Sequence, residues 1–203
     1  MIQDLDSTLA ELLSKGLASA GVEPVKITFE TPNDQFPSSK VTPPAVDLFL
    51  YDIRENRDLR QVDPRVERRG DAMVQTRPPV RVDCSYLVTA WANPGSNTPA
   101  YDEHRLLGEV MRVLLRHPTI PEAVLQGVLK SQELPLPTTT LQQGHLQNLA
   151  ELWQALGGRA RAAFNYTVTL AVQVAEPVNV GPPVTKRSLD MFVGVGPDRV
   201  LDE

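Results

Sequence analysis

Two long stretches, Ala45 to Asn56 (AVDLFLYDIREN) and Arg77 to Ala92 (RPPVRVDCSYLVTAWA), constrain this chain more than any other part of it. In the first, Val46 to Ile53 carries apolar residues in both alternating sets, the pattern of a strand covered on two sides rather than one at an edge. In the second, Val80, Val82, Cys84, Tyr86, Val88 and Ala90 form one alternating set that runs until Asn93-Pro94-Gly95 stops it. Strands of this length and apolarity belong in the middle of one sheet. No catalytic constellation sits on or near them, which turns the reading toward a protein that works through surfaces and edges.

The other elements can be placed around that sheet. Ile2, Leu5, Leu9, Leu12, Leu13 and Leu17 recur at helical spacing, and Asp4 and Asp6 suit the positive end of a helix dipole, so an amphipathic helix is expected to end between Gly16 and Gly21. Val25, Ile27 and Phe29 alternate with polar residues as a strand with one wet face, and Thr31 to Pro44 reads as a proline-rich loop. Thr98 is placed to cap a helix that has Pro99 at its first position, an apolar stripe from Leu106 to Leu114, and Pro118 beyond its end. Pro121 to Leu129 predicts one or two more helical turns, and Leu134 to Thr140 an edge strand or loop. Leu146 to Leu156 predicts a short helix stopped by Gly157-Gly158. Phe164 to Val174 is the cleanest alternating strand in the chain, and Val184 to Val195 reads as a last edge strand or an arm that pairs elsewhere. The expected fold is therefore α/β in composition (α+β): a single mixed, largely antiparallel sheet flanked by three helices, with residues 1–176 as the domain and 177–203 as an extended segment or arm.

Composition and charge remove several classes of function. A net charge of −5 argues against a general nucleic-acid binder, which needs a surplus of Lys and Arg on one face. No apolar run approaches the roughly 20 residues that cross a bilayer, and the opening MIQDLDSTLAELL carries acidic residues where a secretion signal would be basic, so cytoplasmic assembly is expected. The single Cys84 excludes a disulfide scaffold. His104, His117 and His145 are scattered without ligand spacing, so no metal site is expected, and His117 reads as a charge partner for a helix C-terminus. Ser85 lacks the glycine elbow of a nucleophile and reads as a polar strand residue, while Asp47, Asp52 and Glu55 read as solvated carboxylates. Trp91 and Trp153 read as core or interface anchors, and no phosphate-binding glycine pattern is present, so no cofactor is expected.

What remains is the connection from Arg57 to Arg81, with seven arginines against four acidic residues and a Gly70-Asp71 turn signal. It reads as a protruding hairpin or long loop, either a solvated ion-paired surface or a charged contact with another subunit. Arg65, Arg68, Arg69 and Arg77 are the candidate interface residues here, and Val184 and Phe192 those of the C-terminal arm.

The opening Ile2-Gln3-Asp4-Leu5-Asp6 with Leu12-Leu13, LFLYDIREN at Leu48 to Asn56, SYLVTAWA at Ser85 to Ala92, EHRLLGEVMRVLL at Glu103 to Leu115, and ELWQALGG at Glu151 to Gly158 occur in this order. As a set, running to about Val174, they resemble the cap, or tube and sheath terminator, proteins of phage-tail-like extracellular contractile injection systems. The resemblance implies a fold similar to the terminators of long-tailed phages. It also implies a hexameric ring that binds the last ring of an inner tube protein and of a sheath protein and ends their polymerisation, with no enzymatic activity. An adaptor or baseplate component of the same kind of particle, or a small cytoplasmic enzyme whose site assembles from distant residues, are the competing expectations.

Overall fold

The computed structural model describes residues 1–22, 24–141, 149–183 and 187. In chain order its elements are α1 (Ile2–Ser19), β1 (Lys26–Thr28), β2 (Ala45–Glu55), β3 (Arg65–Arg69), β4 (Ala72–Thr76), β5 (Val80–Trp91), α2 (Pro99–Leu115), β6 (Thr138–Thr140), α3 (Leu149–Ala155), β7 (Ala163–Val172) and β8 (Val178–Gly181). They form two compact units: residues 1–61 with 79–174, and residues 62–78 with 175–203.

The larger unit is built on a five-stranded sheet in the order β1-β2-β5-β7-β6. Only β1 and β2 run parallel; the other neighbours are antiparallel. The two stretches singled out in the sequence are β2 and β5, and they pair directly, from Ala45 opposite Trp91 to Glu55 opposite Val82, with a bulge at Tyr51. β7 lies on the other side of β5, so the cleanest alternating run completes the centre of the sheet.

The pleat sorts side chains to two faces. Val46 and Leu48 of β2, Cys84, Tyr86, Val88 and Ala90 of β5, and Phe164, Tyr166, Val168 and Leu170 of β7 point to one side. There they join Leu5, Leu9, Leu12, Leu13 and Leu17 of α1 and Leu106, Val110, Val113 and Leu114 of α2 in one buried cluster. A polar bond ties α1 down as well: the Tyr86 hydroxyl donates to Asp6 Oδ1 at 2.8 Å. The two helices approach closely where Gly16 faces Val113, and a Cβ at residue 16 would run into that valine side chain.

The opposite face is more polar and is covered in part. Phe36 and Val41, from the proline-rich loop, close over Ala45 and Trp91. Trp153 of α3 is buried, with 4% of its surface exposed, and both tryptophans are therefore core anchors. The Arg161 guanidinium lies 3.5 Å from the Trp91 ring centroid and donates to Glu103 of α2 at 2.9 Å, a cation–π contact and an ion pair made by one side chain.

Several expectations need correction. β2 is buried on both faces only from Ala45 to Leu48; its second half emerges, and Ile53 is 48% exposed. Thr98 is the N-cap residue of α2, but its hydroxyl makes no capping bond. Ser96 instead braces the turn before the helix, accepting the Thr98 N–H at 3.0 Å and donating to Asp102 in the first turn at 2.5 Å. The helical turns expected from Pro121 to Leu129 are present, as the two 3-10 turns Glu122–Val124 and Gly127–Ser131. The Arg57 to Arg81 connection contains the hairpin β3-β4, and this pairs with β8 in a separate three-stranded sheet, β3-β4-β8. Among the described residues the last strand is thus Val178–Gly181, and Val184 and Phe192 lie outside the described residues.

Gly16→Ala is expected to destabilise the protein by about 1–3 kcal/mol, the usual cost of forcing extra volume into a close-packed contact. Gly108, in the middle of α2, has open space where its Cβ would be, so Gly108→Ala is expected to stabilise by about 0.5–1 kcal/mol. Urea denaturation of the two variants beside the parent protein tests both; equal midpoints would refute the packing described at Gly16.

Candidate functional site

Among the described residues no group of three or more His, Cys, Asp or Glu side chains is placed to hold a metal. No helix among them is long and apolar enough to cross a membrane. Ser85 is buried and shares a hydrogen bond with Thr167 across the β5-β7 pair at 3.0 Å, so it is a cross-strand polar contact. Cys84 is fully buried, and burial, with the nearby Asp83 and Asp6 charges, pushes its thiol up to about 11.

One carboxylate departs from its expected setting. Asp47, read from sequence as solvated, is fully buried on the polar face of the sheet. Its Oδ1 accepts the Glu30 N–H at 3.0 Å, and its Oδ2 makes no hydrogen bond among the described residues. Burial pushes the carboxyl up to about 8, against the smaller opposing effect of the Glu30 N–H. The group is neutral near pH 7. The signal that could have exposed this was the position itself: Asp47 falls inside the first half of an apolar strand, not at its end. Asp52 and Glu55, by contrast, pair with Arg54 at 2.6 Å and Arg60 at 3.3 Å.

The stems of the arginine-rich connection are fixed firmly in the larger unit. Asn56 donates its side-chain amide to both carboxylate oxygens of Asp83 at 3.1 Å and its backbone N–H to the Arg81 carbonyl at 2.8 Å. Thr169 of β7 donates to the same Asp83 at 2.6 Å, and Arg81 reaches the Pro135 carbonyl at 3.3 Å. The chain therefore leaves β2 and re-enters β5 through a hydrogen-bonded cluster of Asn56, Arg81, Asp83 and Thr169.

The smaller unit holds the candidate residues. The two-residue loop Gly70-Asp71 joins β3 to β4, and Gly70 has φ +64°, as hairpin loops with glycine first require. Arg65, Arg68 and Arg69 all lie on β3, exposed along its whole length, and Arg77 is exposed just after β4. The strand alternation brings only part of this set together: Arg65 and Arg69 share a face with Glu67, and Arg68 lies on the other beside Val66. Arg65 pairs with Glu67 at 2.7 Å, and Arg68 donates to the Gly70 carbonyl at 2.9 Å. At such exposure the ion pair contributes less than about 1 kcal/mol and is free to exchange for a partner's carboxylate. None of the described residues of this unit is buried.

The sequence profile of the family described as the Pvc16 N-terminal domain matches residues 4–186. No curated protein matches the chain. Among solved structures, the fold is similar to the cryo-EM structure of the sheath/tube terminator of an extracellular contractile injection system, PVC, in its extended state. The TM-score is 0.63 at 24% identity, over 97% of this chain and 65% of that one. It is also similar to the anti-feeding prophage cap, the AFP tube-terminating cap, with a TM-score of 0.58 at 25% identity over 89% of this chain and 59% of that one. The chain thus spans less than two thirds of the length of either relative.

Asp47 gives a test with a definite sign. Its folded value is raised above the ordinary 3.8, so between those values the unfolded chain releases a proton that the native state keeps, and stability falls as pH rises from about 4 to about 8. Asp47→Asn is expected to flatten that part of the profile and to gain on the parent most at pH 8, as read by chemical denaturation across the range. An unchanged slope would show that the carboxyl is not held neutral.

Proposed function

The chain belongs to the Pvc16 N-terminal domain family, and from that membership we propose that it is a structural cap of a contractile, phage-tail-like particle. In this reading it forms a ring, hexameric in the assembled particle, on the last tube ring and beside the last sheath ring, and it ends the growth of both. The observation that carries the proposal is the likeness of nearly the whole chain to a sheath/tube terminator together with the family match over residues 4–186.

Residues 1–176 supply the body of the ring subunit in this proposal, and residues 177–203 act as an arm in which Val184 and Phe192 meet a neighbour. Arg65, Arg68, Arg69 and Arg77 make polar contact with tube or sheath. A terminator must match the tube on one face and offer no site for another tube ring on the opposite face. The ring itself needs an interface that differs on its two sides and whose rotation closes. Assembly in the cytoplasm, before any release of the particle, accompanies this role.

Deleting the gene is the direct test. Particles of uncontrolled length, or particles lacking an intact end, are expected in electron micrographs. A complete lack of sheathed tubes would move the protein to the baseplate, and normal particles would sink the structural role altogether. More narrowly, reversing charge at Arg65, Arg68 and Arg69 together is expected to weaken capping of isolated tubes and sheaths in pelleting assays, while the variant keeps the parent's thermal stability. Undiminished capping would remove the arginines from the contact.

A further inference from the structure

The three-stranded sheet of the smaller unit is short of what a free sheet needs. It has strands of five, five and four residues, and none of its residues is buried. Sheets of this size persist when they cover a hydrophobic face or continue into further strands. Both outer strands are edges among the described residues: β3 pairs only with β4, and β8 only with β4. Exposed edges present a row of backbone donors and acceptors for another strand.

We infer that these two edges join to each other between neighbouring copies, β8 of one subunit pairing with β3 of the next, so that the small sheets run on as one continuous sheet around the ring. Two observations choose a second copy over a different partner. First, β3 and β8 are each antiparallel to β4 and hence run in the same direction, so the join is a parallel pair that repeats by rotation and consumes both edges. A foreign strand would fill one edge and leave the other open. Second, Val66, Gln75 and Val178 form one row across the sheet, so Val178 of one copy and Val66 of the next share a face. These valines are 60% and 49% exposed in the single chain, and pairing gives each an apolar neighbour.

The inference rests on the ring proposed above, and the test separates the two. Val66→Asp with Val178→Asp places like charges across each join, whereas Val66→Asp with Val178→Lys places opposite charges there. All three are substitutions at exposed positions, and circular dichroism confirms that the variants fold. Particle mass is read by light scattering, alone and on isolated tubes. Loss of the ring in the first variant and its retention in the second is the expected result. Rings from both variants, or from neither while the parent forms them, overturn the shared edge and leave the ring standing. A parent that forms no ring alone or on tubes overturns both.

Discussion

The structure depends on the double pairing of β5. This strand has β2 on one side and β7 on the other over nearly its whole length; those two carry the outer strands β1 and β6, and α1 and α2 pack on one face of the sheet. Its even-numbered residues from Cys84 to Ala90 carry the helices; its odd-numbered residues, Asp83, Ser85, Thr89 and Trp91, hold the hydrogen-bonded cluster, the cross-strand hydroxyl pair and the tryptophan cluster. A slip of one residue would exchange these sets, leaving apolar side chains against Asn56 and Thr169 and carboxylates against α1, so the register is strongly specified.

Local periodicity made the centre of the sheet legible. β2, β5 and β7 were each visible as alternating runs, α1 and α2 as apolar stripes, and Gly70-Asp71 as a hairpin turn, because in each case the signal lies within one element. The family resemblance drawn from LFLYDIREN, SYLVTAWA and their neighbours holds, since the profile match extends over those segments. What escaped was non-local. That the β3-β4 hairpin would find β8, about 100 residues on, and build a second sheet depends on a pairing no window reports. The burial of Asp47 likewise depends on Thr89 across the strand pair and on the loop carrying Glu30. The two 3-10 turns after α2 differ from α-helix only in tightness, which an apolar pattern of this length does not encode.

The two units divide labour along physical lines. The larger buries its apolar residues and ties its elements together through polar bonds at Tyr86, Asn56, Asp83 and Arg161. The smaller keeps its strand edges, its arginines and its valines at the surface, where their free energy is realised only in contact with something else.

The buried thiol carries one last implication. A protein made among reductants and then carried in a particle through oxidising surroundings would ordinarily risk mixed disulfides or sulfenic acid at a free cysteine. Cys84 sits at zero exposure beneath both helices, with its sulfur kept protonated by burial and by two neighbouring carboxylates. The thiol is therefore shielded from oxidants for as long as the sheet and the helices over it stay folded.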